Sequence, residues 1–197
     1  MTSDQLAQGI IRQASRFIGL REVKPNADWD NPNTAGPDRA LVDELRALMR
    51  QSPWEPGWAY CAAFAESMVL AALRSLAATP EQIKRWQARM TPHCVTSAGN
   101  FTKLGLLSPM AAPGAIWLAR HGSTSNGHAG IVTAVRGMSM ATIEGNTSLD
   151  PSSDAKEREG DWITNRIRFL KGTGTGTGTL NTLGFITPAA ILKLIGV

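Results

Sequence analysis

The stretch from Ala59 to Leu76 sets the first limit on how this chain can fold. It follows a loop broken by Pro53, Pro56 and Gly57, and then reads as a helix. Ala62, Ala63, Phe64, Ala65, Met68, Val69, Ala72, Leu73 and Leu76 leave that helix almost no polar side. A helix that is apolar all round has no face to turn to water and belongs inside a domain. The remaining elements must then be arranged around it. Cys61 falls in its first turn, where unpaired backbone N–H groups and the helix dipole favour negative charge. A thiol in that place is acidified, and the thiolate is the nucleophilic form. The same N–H groups can hold an oxyanion as an acyl carbon becomes tetrahedral. Taken alone, the stretch favours the plainer reading of Cys61 as a small core residue, because free cysteine is among the most buried residue types.

The rest of the first half is helical in pattern. Ser3 can cap a helix whose face is Leu6, Ile10, Ala14 and Phe17, and Gly19 suits its stop. Pro37 can open a second helix with Leu41, Leu45 and Leu48 on its apolar face. Thr79-Pro80-Glu81-Gln82 supplies a cap, a first-position proline and the third-position Gln of a capping box, for a helix running to about Met90. Val95, Ala98, Phe101 and Leu104 mark a further short helix ended by Gly105. The period then changes. Short strands are expected at 115–118, 127–135, 139–144, 163–169 and 180–186, with Thr187-Pro188 opening a C-terminal helix. The strict Gly-Thr alternation over 172–179 is low-complexity sequence and reads as a flexible loop. These elements predict an α+β fold, a single domain over 1–197, with N-terminal helices packed on a C-terminal antiparallel β-sheet.

Composition narrows the function. Hydrophobic residues at 43% and charged residues at 18% are a globular balance, and no apolar run reaches the length of a membrane span, so no stable membrane association is expected. The net charge of +4 suits an anionic wall polymer but is too small and too scattered to argue for nucleic acid. Met-Thr-Ser-Asp-Gln lacks a basic start and an apolar core, so no secretory signal is expected, which places synthesis in the cytoplasm. Cys61 and Cys94 have no metal-type spacing, and a disulfide between them is the weaker expectation. Asn26, Asp28, Asp30 and Asn33 offer oxygens to calcium, but no bidentate Glu accompanies them, and turn chemistry explains the cluster better. No cofactor or metal is expected.

A cysteine nucleophile needs a base, and the base needs a group to orient it. Of three histidines, His93 and His121 lie in polar connections and read as solvent-facing. His128 opens a strand between Gly127 and Gly130, where small neighbours leave the imidazole room for a partner. The hairpin 127–144 decides whether it has one. With a three-residue loop, Arg136 to Met138, Val135 pairs with Ser139, Gly130 faces Glu144, and His128 lies opposite Asn146. His128, Glu144 and Asn146 then share one face. A two-residue loop would send Glu144 to the other face. A functional site therefore predicts an odd loop with a bulge at Gly137. A carboxylate or amide against the imidazole fixes its tautomer and stabilises its charge.

Tyr60-Cys61-Ala62-Ala63-Phe64, Pro113-Gly114-Ala115-Ile116, Gly127-His128-Ala129-Gly130-Ile131-Val132 and Thr142-Ile143-Glu144-Gly145-Asn146-Thr147 follow one another in the order of the CHAP domain. The chain resembles this family of cysteine, histidine-dependent amidohydrolases and peptidases, a papain-like branch of the NlpC/P60 group, and in particular its phage endolysins. Ile18 to Val23 and Leu183 to Ile186 extend the resemblance over nearly the whole chain. It departs where the family often has Trp before the cysteine; here Tyr60 stands there, with Trp58 two residues earlier. The resemblance implies a papain-like fold and hydrolysis of an amide bond in bacterial peptidoglycan, either within the peptides or at the N-acetylmuramoyl–L-alanine amide. It implies Cys61 as nucleophile, His128 as general base and later acid, Glu144 as the orienting residue and Asn146 beside it. The Tyr60 hydroxyl would join the Cys61 N–H at the oxyanion. Trp54, Trp58 and Trp117 either line the cleft or fill the core. Some members bind calcium near the cysteine, but the loop 26–33 does not reproduce that site convincingly. An antibacterial effector with the same chemistry, a non-enzymatic wall-binding module and an amide hydrolase or transpeptidase with another acyl donor stand as alternatives.

Overall fold

The computed structural model describes residues 1–22, 39–52, 54–55, 57–149, 160–170 and 180–197. These residues form six helices, α1 (Ser3–Ser15), α2 (Arg39–Met49), α3 (Cys61–Ser75), α4 (Pro80–Gln87), α5 (Cys94–Lys103) and α6 (Pro188–Ile195). Five strands follow α5: β1 (Ile116–His121), β2 (Gly127–Arg136), β3 (Ser139–Thr147), β4 (Trp162–Phe169) and β5 (Leu180–Ile186). The expected α+β division is present, with one antiparallel sheet in the order β4-β3-β2-β1-β5. The candidate calcium residues Asn26, Asp28, Asp30 and Asn33, the Gly-Thr run and Pro37 lie outside the described residues. No helix among the described residues is long and apolar enough to cross a membrane.

The apolar helix is the centre of the packing. Twelve of the fifteen residues of α3 are buried. Its alanines let neighbouring elements close in: a Cβ on Gly9 of α1 would stand 3.3 Å from the Cβ of Ala72. α1 turns Leu6, Ile10 and Ala14 inward and is continued by buried Phe17. Its cap is Thr2 and not Ser3, because the Thr2 hydroxyl accepts the Gln5 N–H while the Gln5 side chain returns to the Thr2 N–H. α4 begins with the capping box of Thr79 and Gln82 but ends at Gln87, short of Met90.

Strand alternation gives the sheet two different faces. Ile116, Leu118, Ala129, Ile131 and Ile143 join the helices in the main core. Trp117, Ala119, Val132, Met140 and Phe185 form a second, smaller apolar cluster. β4 follows a different rule. Ile167 and Phe169 are 67% and 71% exposed, while Arg166 and Arg168 between them are buried. The apolar residues at this end of the strand face water because the alternating positions, Arg166 before Ile167 and Arg168 after it, turn to the opposite face, where Arg168 meets Glu144 of β3.

The β2–β3 hairpin corrects one expectation and reaches its consequence by another route. Arg136 pairs with Ser139, so the loop has two residues, Gly137 and Met138, with Gly137 at φ 57. A two-residue loop alone would turn Glu144 away from His128. The register then shifts between Val132 and Ala134, so that Val132 pairs with Thr142 and Ile131 with Ile143. The bulge lies at Thr133 and not at Gly137. One extra residue in β2 flips the face of everything beyond it, and Glu144 comes over Gly130.

One buried group makes the core sensitive to pH. Glu66 lies on α3 at 1% exposure, and among the described residues no hydrogen bond reaches either carboxylate oxygen. Burial raises its carboxyl from the usual 4.5 to about 7, with the Ser52 hydroxyl nearby but outside hydrogen-bonding geometry and opposing the rise only weakly. The folded state thus holds this proton more tightly than the unfolded chain does. The site costs nothing extra below pH 4.5, and its cost grows as pH rises through 7, to on the order of 3 kcal/mol. Glu66→Gln removes that dependence. Thermal unfolding should show the variant's advantage over wild type growing from pH 5 to pH 8; an advantage independent of pH would contradict a protonated Glu66.

Candidate active site

Cys61 is the first residue of α3, and the Tyr60 side chain makes no capping bond there, so the positive end of the helix opens onto the sulfur. Gly145 brings this helix end against the sheet. A Cβ at that position would stand 2.9 Å from the Tyr60 ring and 3.0 Å from the Cβ of Phe64, so β3 lies directly on the start of α3. Asn146 follows with φ 56, and its Oδ1 accepts the Tyr60 N–H at 3.5 Å. A pocket of about 360 Å³ opens at this point, lined in part by Trp58, Cys61, Cys94, His128 and Asn146.

His128 is 2% exposed and is held from two sides. Its Nε2 lies 2.9 Å from Oε2 of Glu144, which leaves Nδ1 for the thiol of Cys61. Gly130 makes the first contact possible, because Glu144 crosses the space a side chain would fill: a Cβ on Gly130 would meet its Cγ at 2.6 Å. The carboxylate itself has no exposure to solvent. It accepts the Arg168 guanidinium on both oxygens, from Nε at 2.9 Å and from the terminal nitrogen at 2.6 Å, and it also accepts the Thr142 hydroxyl. The Trp117 ring lies under this group, with its centroid 6.2 Å from that of His128 in an edge contact and 5.6 Å from the Arg168 guanidinium carbon.

The charges follow from these neighbours. Burial alone would raise the Glu144 carboxyl, but Arg168 and then His128 hold it well below the usual carboxylate range. Burial works against charge on His128 too, yet Cys61 and Glu144 outweigh it and push the imidazole up to about 9. The Cys61 thiol falls well below the usual thiol range, through its contact with Cys94 and then through His128, against the effect of burial. The Cys94 thiol is pushed well up by Cys61 and by burial. The four groups in line are therefore Arg168 positive, Glu144 negative, His128 positive and Cys61 negative, with Cys94 a neutral thiol beside the last.

Of the residues picked out in the sequence, Cys61, His128, Glu144, Asn146 and Trp58 come together here. Three others serve elsewhere. The one proton of the Tyr60 hydroxyl goes to the Asp161 carbonyl at 3.1 Å, and the ring is fully buried, so this hydroxyl is not an oxyanion donor. Trp54 is buried and donates to the Trp58 carbonyl. Trp117 is buried and donates to the Thr182 hydroxyl at 3.0 Å, so of the three tryptophans Trp58, 47% exposed, lines the pocket. Arg168, Thr142 and Cys94 join the site without having been expected there from the sequence. His93 and His121, expected to face solvent, both line the pocket, the latter at only 6% exposure. Arg168 had one usable signal: it stands two residues from Arg166 on a strand whose other face is apolar, next to a strand carrying a buried acid. Among the described residues no group of His, Cys, Asp and Glu could hold a metal ion. Comparison with family models, curated proteins and solved structures finds no match.

A nucleophile with a paired base, beside a helix N-terminus and open to a pocket, can carry out acyl transfer. The arrangement predicts that, in a proton NMR titration, one of the three imidazoles titrates near pH 9. Glu144→Gln removes a negative neighbour and should move that titration to lower pH. Gly130→Ala, which displaces the carboxylate without removing it, should shift it the same way. Three imidazoles titrating in the ordinary range in the wild type would contradict the pairing.

Proposed function

We propose that this chain is a papain-like cysteine hydrolase of the CHAP type, cleaving an amide bond of bacterial peptidoglycan as a phage endolysin does. The observation that carries the reading is the buried line from Arg168 through Glu144 and His128 to Cys61, ending at a pocket. A wall-binding module has no use for such a line, because burying these charges costs stability that binding alone does not return.

The proposed steps use these groups as follows. The Cys61 thiolate attacks the amide carbonyl, and negative charge moves to the carbonyl oxygen. The Cys61 backbone N–H, at the start of α3, holds that oxyanion. His128, already protonated, donates its proton to the leaving amine, and the amine departs from an acyl-enzyme. His128, now neutral, takes a proton from water as it attacks the thioester, and the acid product leaves with the thiolate restored. Glu144 keeps the imidazole ring in place and favours its charged form throughout. Arg168 in turn holds Glu144 as a carboxylate. Trp58, exposed at the pocket, offers a flat apolar surface to a sugar or peptide.

Digestion of purified peptidoglycan, with mass spectrometry of the soluble fragments, tests this reading. Wild type should release fragments whose new ends identify the bond cut. Cys61→Ala should release none, His128→Ala should be slower by about 10²–10⁴-fold, and Glu144→Ala should be impaired less than either. No release by wild type from several wall chemotypes, or equal release by Cys61→Ala, would overturn it.

A further inference from the structure

Cys94 does no work in the steps above, yet its sulfur lies 3.9 Å from that of Cys61. Both are free and buried, at 3% and 5% exposure. Each is the first residue of a helix, Cys61 of α3 and Cys94 of α5, and neither helix has a side-chain cap from its N-cap residue. Two helix N-termini thus converge on one pair of sulfurs. The packing around this convergence is tight: a Cβ on Gly127 would stand 2.4 Å from the Ala119 carbonyl oxygen of β1 and 2.9 Å from the Cβ of Cys94, so β2 has no room for a side chain where α5 brings in its cysteine. Both residues line the same pocket, which gives a small polar molecule a path to them.

We propose that Cys61 and Cys94 are an oxidisable dithiol, in which a hydroperoxide joins the two sulfurs and so switches off the nucleophile until an external dithiol restores it. The inference rests on the reading of Cys61 as the reactive thiolate. The Cys61 thiolate attacks one oxygen of the hydroperoxide; an S–O bond forms, the O–O bond breaks, and the leaving alkoxide or hydroxide takes a proton from solvent. Cys61 is then a sulfenic acid. The Cys94 thiol gives up its proton as its sulfur attacks the sulfur of Cys61; the S–S bond forms, the S–O bond breaks, and the oxygen leaves as water. Two thiols have lost two electrons, and the hydroperoxide has been reduced to water and an alcohol, or to two waters from hydrogen peroxide. A disulfide needs its sulfurs about 2 Å apart, so from 3.9 Å they must approach by about 2 Å. Cys94 also protects Cys61, since a sulfenic acid with a thiol beside it is consumed before it reaches the irreversible sulfinic state.

The test is treatment of the full chain with hydrogen peroxide, alkylation of remaining thiols under denaturing conditions, and intact and peptide mass spectrometry. Wild type should lose two hydrogens, lose both alkylatable thiols, and yield one intramolecular Cys61–Cys94 cross-linked peptide that dithiothreitol removes. Cys94→Ser, with Cys94→Ala as a second variant, should instead gain oxygens at Cys61 that dithiothreitol does not fully remove. Cys61 oxidised to sulfinic acid in wild type with Cys94 still alkylatable, or a cross-link only between two chains, would overturn the proposal. The readout is mass, so a cross-link in a protein that cuts no peptidoglycan would sink the functional reading and leave this one standing.

Discussion

The structure depends on a carboxylate without any contact with water. Glu144 has zero exposure, and a lone buried charge of this kind is strongly unfavourable. It is tolerated because four donors converge on its two oxygens: both nitrogens of the Arg168 fork, His128 Nε2 and the Thr142 hydroxyl. The guanidinium matches the carboxylate in shape as well as charge, which lysine would not. Losing one partner of such a pair leaves the other buried and unpaired, at a cost of about 3–5 kcal/mol. The network therefore does not tolerate the loss of a member, although assembling it is costly, and it sets charges as well as positions. It anchors β4 to β3, and the same bonds that keep Glu144 charged keep His128 charged. Cys61 feels Cys94 first and this charge after it, so an arginine two strands away from β2 contributes, through Glu144 and His128, to the state of a sulfur at the tip of α3.

The fold brings this about through close approaches rather than large contacts. Gly130 leaves room for the Glu144 side chain, and Gly145 lets β3 lie against Tyr60 and Phe64 at the start of α3. The bulge at Thr133 turns the site-bearing end of β2 to the face that Glu144 uses. Each is a small backbone feature, and each sets the position of a charged side chain. α3 gives them something rigid to be positioned against. It is held on nearly all sides by apolar packing, each large side chain contributing about 1.5–3 kcal/mol, so its N-terminus is fixed from behind while its first residue faces the pocket.

The elements of the fold were largely legible in the sequence, because they rest on local signals. The all-round apolar run announced a buried helix, the Thr79-Pro80 start announced α4, and alternation announced β4. Cys61 stood out by its place in the first turn of an apolar helix, His128 by its small neighbours, and Glu144 by the hairpin register that could bring it to His128's face. Features that depend on pairing between elements were less accessible. The residues needed to face one another required one extra residue somewhere in the hairpin, but Gly137 drew the bulge to the turn, while the structure places it at Thr133, a residue with no local mark. Arg168 was hidden for a related reason: Ile167 and Phe169 look like an inward-facing pair until the neighbouring Glu144 demands a cation on the opposite face. The Tyr60 hydroxyl was misplaced because its partner, the Asp161 carbonyl, is 101 residues away. Cys94 and its contact with Cys61 were invisible in spacing, since two helix starts 33 residues apart meet only in the packed structure.

Everything at this site turns on Cys61 being a thiolate held by a protonated His128 in the resting protein. Ultraviolet absorbance of the thiolate, followed from acid to alkaline pH on the native chain, measures this without any substrate. Thiolate absorbance equivalent to one cysteine should appear well below the usual thiol range, be absent from Cys61→Ala and shift to higher pH in His128→Ala. Absorbance that appears only in the ordinary thiol range, or that survives in Cys61→Ala, would contradict it.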